Sequence, residues 1–323
     1  MGWSGSLTSD SSVGSSMKLT SDTSTIGAYT VKSFTAPRKG VYRFDLIGSG
    51  GAKGASSKDG HGLTSMGHYD RADGGKGGST TGYLLLEKDQ TVYVGCGGPC
   101  SAAFVSSKTG SNLAAVTKSS LYFVAGGGGQ GGSYGDDNNC TGWNCYATAG
   151  GNGGGSSGNS GEADNIEPGG GGGTQSAGGA AGAGGGYTAT GEKGSYGQGG
   201  ANAIYSWGGY RAISGRGGDC YYGGGGGQAY AVGGLEAPDS ARGHGGGGGS
   251  GYVKTPTLTV QGEEYTSSTS KGKGASSNTS GYVTVTYYAV TELPIEFNGT
   301  KITELVFNGT KITSVIYNGT KLI

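Results

Sequence analysis

The chain has little of what most globular domains are built from. Only 33% of its 323 residues are hydrophobic and 14% are charged, and there are six prolines and three histidines. Basic and acidic residues number 22 each, so the formal net charge is zero. A nucleic-acid binder normally carries a clustered basic face. No such stripe is visible, so we predict no nucleic-acid partner. The low hydrophobic content also predicts a small apolar core for this length.

Long apolar runs and amphipathic helices are missing as well. No stretch approaches the roughly 18 apolar residues that span a bilayer, which predicts no membrane insertion. The first residues, MGWSGSL, lack a basic segment followed by an apolar one. We therefore expect no signal peptide, and synthesis in the cytoplasm. Apolar residues with a 3.6-residue period are absent, which argues against helices.

Patterns typical of catalytic or metal sites are weak. Gly-x-Gly-x-x-Gly occurs repeatedly, but this glycine content alone produces such matches. A polar loop contains Asp59, His61, His68, Asp70 and Asp73. A metal site there is one interpretation, and a solvated surface loop is the simpler one. We predict no enzymatic activity, no cofactor and no bound metal.

The five cysteines leave several states open. Cys96 and Cys100, and likewise Cys140 and Cys145, have a loose metal-ligand spacing. A local disulfide between Cys140 and Cys145 is an alternative if the protein works outside cells. The odd number, completed by Cys220, leaves at least one cysteine unpaired in any intramolecular scheme. Free or buried thiols are the simplest expectation.

Glycine is what the chain has in abundance, at 78 residues. The longest runs are Gly126–Gly129, Gly169–Gly173, Gly223–Gly227 and Gly245–Gly249. Fixing a glycine costs roughly 0.5–1 kcal/mol more than fixing an alanine. The runs are therefore either disordered or held by backbone hydrogen bonds that offset this cost. Left-handed helices with three residues per turn point every N–H and C=O outward, so closely packed glycine rods can bond to one another.

Strand patterns flank a glycine-rich excursion over about 126–251. Apolar residues alternate with polar ones in Val41–Ile47, as in a half-buried strand. We expect a hairpin between 83–86 and 91–94, and a closing strand at 282–287. The predicted fold class is all-β, with the glycine-rich excursion as a regular insert in a main domain over 26–290.

The two ends of the chain differ from its middle. Residues 1–25 are rich in Ser, Thr and Gly, which predicts a polar arm or docking segment. Residues 291–323 carry Asn-Gly-Thr with a ten-residue period. Asn-Gly between strand-forming residues is a strong hairpin signal, so we expect ten-residue β-hairpin repeats there. So small a sheet is marginal alone, which favours packing against copies of itself or against the main domain.

The order of strands and glycine runs resembles a known family. The junctions that carry the resemblance are Phe34–Phe44 leading into Gly50–Gly54, Gly74–Gly78, Val92–Gly95, Val124–Gly129, Gly197–Gly200 and Gly245–Val253. Over about 28–288, this order resembles the glycine-rich domain of the anaplastic lymphoma kinase and leukocyte tyrosine kinase receptors, and glycine-rich proteins of bacteria and phages. The resemblance implies a jelly-roll-like β-sandwich with an inserted bundle of polyglycine II helices.

The C-terminal repeat resembles the ends of tail and structural proteins from phages and prophages of gut bacteria. Together the two resemblances imply a non-enzymatic virion protein, made in the host cytoplasm. The first expectation is a tail-fibre or tail-tip adhesin that binds a host cell-surface glycan or protein. By analogy with phage fibres, it would contact other virion proteins and form a homotrimer. The alternatives are a head-fibre, decoration or extracellular filament protein without a receptor, and a ligand-binding signalling domain.

Aromatic residues that interrupt the glycine-rich segment are the predicted receptor contacts. The candidates are Trp143, Tyr146, Tyr205, Trp207, Tyr210, Tyr221 and Tyr222. Aromatic rings at the ends of a rigid bundle suit stacking on sugar rings or contact with a surface protein. The alternative interpretation is that they cap the glycine bundle and pack against its rods.

Overall fold

The computed structural model confirms an all-β chain. It describes residues 3–21, 23–55, 68–136, 145–163, 168–184, 186–207, 210–232 and 240–290, with six short strands between 296 and 321. Within these residues there is no α-helix, and the only helical turns are two 3-10 helices, Leu113–Ala115 and Lys118–Ser120.

Strands occur along the whole described chain. Up to residue 290 they are β1 (Trp3–Ser4), β2 (Ser16–Thr20), β3 (Tyr29–Thr35), β4 (Gly40–Ile47), β5 (His68–Arg71), β6 (Ser79–Leu86), β7 (Thr91–Gly97), β8 (Ala103–Ser106), β9 (Leu121–Ala125), β10 (Ser133–Asp136), β11 (Cys145–Ala147), β12 (Thr188–Thr190), β13 (Ile204–Trp207), β14 (Tyr210–Ile213), β15 (Gln228–Val232), β16 (Ser240–Gly243), β17 (Tyr252–Val253), β18 (Thr257–Val260), β19 (Glu263–Thr266), β20 (Ser268–Ser270) and β21 (Tyr282–Ala289). β18 and β19 form a separate two-stranded hairpin.

Two antiparallel sheets face each other across the main apolar core and form the body termed here the large sandwich. The first sheet has the order β1-β2-β21-β4-β6-β20 and the second β17-β9-β8-β7-β3. The alternation in β4 buries Tyr42, Phe44 and Leu46 completely. Val94 and Phe123 meet them from the second sheet. Burial of these large side chains is the main stabilising contribution in this body.

The N-terminal segment, expected to be a polar arm, contributes β1 and β2 to the first sheet. β2 pairs with the central strand β21 and buries Leu19. The ring of Trp3 packs edge-on against Phe34, and its indole N–H donates to the carbonyl of Ser33 at 3.0 Å. Residues 3–20 are therefore part of the large sandwich.

The hairpin predicted between 83–86 and 91–94 is wrong. β6 pairs with β4 and β20 in the first sheet, whereas β7 pairs with β3 and β8 in the second. The turn between them, with Asp89 at φ 64°, carries the chain from one sheet to the other. Both strands direct apolar side chains into the same core, Leu86 from one side and Val92 from the other. β6 and β7 therefore contribute side chains to the same core without being hydrogen-bonded to each other.

A second pair of four-stranded sheets forms a body termed here the small sandwich. Its sheets have the orders β13-β14-β10-β5 and β11-β16-β15-β12. All their pairings are antiparallel except that between β11 and β16. The core between the sheets combines Tyr134 and Tyr210 with several alanines, among them Ala212, Ala229 and Ala241.

Glycine-rich segments connect the two sandwiches and form the glycine layer. β4 of the large sandwich runs into residues 48–54, β5 of the small sandwich returns to β6 through 72–78, and β9 reaches β10 through 126–132. The segments of the layer are 48–54, 72–78, 126–132, 148–154, 158–161, 169–173, 178–182, 191–194, 199–203, 214–219, 223–227 and 244–250. The layer thus includes two segments that precede the glycine-rich excursion of the sequence.

Hydrogen bonds within the glycine layer repeat every three residues. Amides of 48–54 donate to 72–78, and amides of 72–78 donate in turn to 126–132. The first set joins Gly48 to Gly78, Gly51 to Gly75 and Gly54 to Ala72 at 2.7–2.9 Å. The second joins Ala72 to Gly132, Gly75 to Gly129 and Gly78 to Gly126 at 2.8–3.0 Å. Residues three apart therefore face the same neighbour, and the intervening ones face other segments.

Exposed side chains occur in the layer where a segment has a solvent face, and the few buried ones include Gln130 and His244. Segments 126–132 and 223–227 are buried along their whole length, whereas 72–78 exposes Asp73 and Lys76, which lie three residues apart. A Cβ atom at Gly225 would lie 1.9 Å from the carbonyl oxygen of Ala180. The close approach of backbones, rather than chain flexibility, therefore requires glycine in the central segments.

The C-terminal repeat contains three short antiparallel pairs at ten-residue intervals. The pairs are Glu296–Phe297 with Thr300–Lys301, Val306–Phe307 with Thr310–Lys311, and Ile316–Tyr317 with Thr320–Lys321. The Asn-Gly dipeptides between the paired strands lie outside the described residues.

Candidate functional site

The predicted contact residues fall in two places rather than one. The small sandwich contains Tyr146, Tyr205, Trp207 and Tyr210. Tyr221 and Tyr222 lie where the glycine layer meets the large sandwich, just before segment 223–227. Trp143 lies outside the described residues.

Two of the small-sandwich residues belong to its interior. Tyr210 is 2% exposed and packs among core alanines, with the half-buried Tyr205 against the same cluster. A partner could reach the Tyr210 ring only if the two sheets separated. The structure therefore gives Tyr210 a packing role inside the small sandwich.

Trp207 forms an exposed aromatic corner with Tyr187. The two side chains are 48% and 52% exposed, and their ring centroids lie 5.6 Å apart at 73°. Tyr187 has φ 61°, a left-handed backbone conformation that is uncommon outside glycine. Sequence reasoning selected Trp207 but not Tyr187, although Tyr187 directly follows a glycine run. Both rings present apolar faces that a flat partner can stack on.

Tyr146 takes part in a row across the outer face of the second small-sandwich sheet. The guanidinium of Arg242 lies 5.3 Å from the Tyr146 ring centroid and 5.4 Å from that of Tyr230. Strand register produces the row, because Arg242 on β16 is paired with Tyr146 on β11 and Tyr230 on β15. Cation–π attraction to both rings orients the arginine.

Tyr222 belongs to a cluster termed here the lysine–tyrosine patch, made of Lys118, Lys254, Tyr122, Tyr196 and Tyr222. The Lys118 ammonium lies 4.8 Å from the Tyr196 ring centroid and 4.4 Å from that of Tyr222. It also donates to the Tyr222 hydroxyl at 2.5 Å. The Lys254 ammonium lies 5.5 Å from the Tyr122 ring centroid. Sequence reasoning missed both lysines, because they come from segments distant from each other and from the glycine-rich stretch that drew attention.

Tyr221 lies against this patch and packs toward the large sandwich. Its ring stacks on Tyr252 of β17 with a centroid distance of 4.1 Å and an interplanar angle of 12°. The hydroxyl of Tyr196 donates to the carbonyl of Val116 at 2.6 Å. Burial raises the pKa of Tyr196 to about 12, so the hydroxyl stays protonated and remains a donor at neutral pH.

A buried ion pair fastens the glycine layer to the large sandwich. Arg216 donates to Asp219 at 2.5 Å, and the Gly199 amide donates to the same carboxylate at 2.9 Å. The hydroxyl of Tyr29 on β3 donates to it at 3.2 Å. Burial raises the pKa of Asp219, and the Arg216 charge opposes that shift. Asp219 is buried and Arg216 is mostly buried, which is typical of a structural contact.

The described cysteines are of two kinds. Cys96, Cys100 and Cys220 are free and buried, and burial raises the pKa of the Cys96 thiol to about 12 and that of Cys100 to about 11. Cys145 is disulfide-bonded, and its partner lies outside the described residues. The expectation of free or buried thiols is thus wrong for Cys145, where an oxidised state is present instead.

Metal-binding clusters and membrane-spanning helices are both absent from the described part of the chain. No group of three or more His, Cys, Asp or Glu residues there is arranged to hold a metal ion. No helix among those residues is long and apolar enough to cross a bilayer. Asp59 and His61 of the polar loop lie outside the described residues.

No protein-family model matches the chain, and no curated protein has a significantly similar sequence.

Proposed function

We propose that this protein is a non-enzymatic phage virion protein, a tail-fibre or tail-tip adhesin that binds a glycan or protein on the host cell surface. In this proposal, the glycine layer is a bundle of polyglycine II helices and the large sandwich is related to the jelly roll. Contacts to other virion proteins and assembly as a homotrimer belong to the same proposal.

The three-residue hydrogen-bond repeat is the observation that supports the bundle. In a helix with three residues per turn, residues i and i+3 face the same direction, so each rod can bond to neighbours on three sides. Segment 126–132 matches this geometry, because its amides reach several other segments. Gly128 and Gly131 donate to 48–54, while Gly129 and Gly132 donate to 148–154. Such a bundle would be rigid without an apolar core of its own.

The exposed Tyr187–Trp207 corner is the observation that supports recognition. It lies on the small sandwich, which the glycine layer joins to the large one. Aromatic residues are enriched at binding surfaces because one rigid ring supplies a large contact area at little entropic cost. A rigid support lowers the ordering cost of binding, and several copies convert weak single contacts into avidity.

The disulfide at Cys145 fits a protein that works outside the cell. Disulfides persist in oxidising surroundings and are rare in the cytosol. Cys145 lies in the small sandwich, with its sulfur accepting from the Ala241 amide at 3.2 Å. The bond would therefore brace the body to which the proposal assigns recognition.

Binding of the intact oligomer to bacterial cells tests the adhesin proposal. Fluorescently labelled protein should bind a subset of gut bacterial strains, and Trp207→Ala or Tyr187→Ala should weaken binding roughly tenfold or more, as at hot-spot residues. Tyr69→Ala is the matched control, because Tyr69 is also 48% exposed and lies on the same sandwich. No binding to any strain would overturn the adhesin proposal, and equal binding by all three variants would overturn the assignment of the corner as its contact site.

Immunogold electron microscopy of particles carrying this protein tests its place in the virion. Labelling at the tail tip or on tail fibres is the expected result. Labelling on the head, or along a cell-attached filament, would contradict the tail assignment and favour the purely structural alternative.

A further inference from the structure

The lysine–tyrosine patch lies at the other end of the glycine layer from the small sandwich. Tyr196 follows segment 191–194 and Tyr222 precedes 223–227, both at the ends that adjoin the second sheet of the large sandwich. Lys118 is on the second 3-10 helix, and Lys254 follows β17. The patch is thus separate from the Tyr187–Trp207 corner, and its properties do not depend on that site.

Both ammonium groups in the patch are exposed and held in place. Lys118 donates to the Tyr222 hydroxyl, and Lys254 donates to the carbonyl of Ser119 at 2.7 Å, beside Lys118 in the chain. A lysine has three N–H donors, so each ammonium keeps donors for a further partner. Within the described part of the chain, neither lysine forms an ion pair with a carboxylate. The pair therefore presents uncompensated positive charge.

The tyrosine rings next to these charges are half-buried and rigidly supported. Tyr196 is anchored through its hydroxyl to Val116, and it meets Tyr222 edge-to-face with centroids 6.3 Å apart. The stack of Tyr221 on Tyr252 supports the same side. Fixed rings beside fixed cations form a surface that is complementary in charge to an anion and in shape to a flat apolar face.

We propose that this patch binds an acidic glycan. The carboxylate or phosphate of the glycan would accept from Lys118 and Lys254, and the C–H face of an adjacent sugar ring would stack on Tyr222 or Tyr122. A polysaccharide fits better than a nucleic acid, because strand-tracking sites need a long basic groove, and here two lysines act in a chain of zero net charge. The lysine ammonium is a compact point charge, so it can bind either a carboxylate or a phosphate without bidentate geometry.

Binding of the full chain to immobilised polysaccharides tests this assignment. The surfaces are polygalacturonate, which carries carboxylates, phosphomannan, which carries phosphates, and neutral dextran. We expect binding to one or both acidic polymers but not to dextran, with at least a tenfold loss between 50 and 500 mM salt because the charges are exposed. Comparison of the two acidic polymers shows whether the patch binds a carboxylate or a phosphate. Equal binding to dextran, or no binding to either acidic polymer at 50 mM salt, would overturn the proposal.

Paired variants separate recognition from folding. Lys118→Gln with Lys254→Gln should reduce acidic-polymer binding about tenfold or more. Lys32→Gln with Lys88→Gln removes the same charge from exposed positions on the large sandwich and should leave binding unchanged. Tyr222→Phe, which keeps the ring, should bind better than Tyr222→Ala, with the thermal unfolding midpoints confirming folded protein. Equal loss in both double variants would contradict the proposal.

The two binding proposals can fail independently. Variants at Trp207 should leave binding to polygalacturonate and phosphomannan unchanged, because that residue lies on the small sandwich. Loss of polymer binding in Trp207→Ala would show that the patch is not the site, even if the adhesin proposal holds.

Discussion

The large sandwich and the glycine layer exclude water from the interior by opposite means. In the sandwich, strands about 4.8 Å apart hold side chains that fill the space between two sheets, with Phe44 and Phe123 in one aromatic cluster. In the layer, neighbouring backbones are too close to admit even a methyl group at Gly225. The large sandwich is stabilised by the apolar side chains that fill its core. The glycine layer is stabilised by backbone hydrogen bonds between segments that can lie close together because they lack side chains.

This difference accounts for the unusual composition. A chain with only 33% hydrophobic residues can still enclose the apolar cores of its two sandwiches, because the glycine layer between them is held by backbone hydrogen bonds. The entropic cost of fixing glycine is offset by backbone hydrogen bonds whose donors and acceptors would be costly to bury unpaired. Substitutions that remove core side-chain atoms should therefore destabilise the large sandwich, and substitutions that add a side chain should destabilise the glycine layer.

The largest expected effect is a deletion in the sandwich. Phe44→Ala leaves a cavity in a fully buried aromatic cluster and should lower the free energy of unfolding by about 3–5 kcal/mol. Chemical denaturation of the full chain measures it. Leu85→Ala on the neighbouring strand β6 is the control, because Leu85 is 36% exposed and should cost far less. Comparable losses in the two variants would contradict the assignment of the core.

The next effect probes the junction between the two regions. Asp219→Asn removes the charge that pairs with Arg216, whose side chain is 18% exposed. We expect about 3 kcal/mol of destabilisation, because breaking a buried pair leaves an uncompensated charge. Asp45→Asn, in the more exposed pair with Arg43, should cost at most about 1 kcal/mol. A reversal of this order would show that the junction does not depend on the buried pair.

The third effect is an addition in the layer. Gly225→Ala adds one methyl group against the carbonyl of Ala180 and should destabilise the protein by about 2–3 kcal/mol through overpacking. Gly186→Ala, where no atom lies within 4 Å of the added Cβ, should be neutral or slightly stabilising. Equal tolerance at both positions would mean that the layer is not closely packed.

The smallest effect concerns local unfolding, which one buried thiol in the large sandwich and one at the edge of the glycine layer can report. Cys96 lies in the sandwich core, and Cys220 lies at the edge of the layer, both fully buried. Because the thiolate is the reactive form, burial that raises both pKa values should keep both thiols unreactive toward iodoacetamide at pH 8 in the folded protein. Peptide mapping by mass spectrometry identifies which is labelled first under mild denaturant. Rapid labelling of either in the native state would contradict its burial.

Local patterns in the sequence predicted part of this architecture. The alternation in Val41–Ile47 identified β4 correctly, and the all-β class is confirmed. The hairpin between 83 and 94 failed because alternation shows which face is buried but not which sheet a strand joins. Segments 48–54 and 72–78 were not assigned to the layer, because each is short and its glycines are interrupted by other residues, such as Ser49 and Ala52 in the first and Lys76 in the second.

The candidate sites were harder to predict, because the sequence does not show which side chains are exposed or which distant residues lie together. An aromatic residue in a glycine-rich stretch is visible in the sequence, but its exposure is not, so Tyr210 and Trp207 looked alike. The lysine–tyrosine patch depends on Lys118, Tyr222 and Lys254, which are far apart in the chain. Only tertiary packing brings them together.

The most direct test of the central claim is an experimental structure at a resolution that fixes the backbone dihedral angles of residues 126–132. We predict φ near about −75° and ψ near about +145°, with hydrogen bonds to the same neighbour at every third residue. Dihedral angles of extended β-strands, with φ near about −120° to −140° and a two-residue pairing register, would contradict the account.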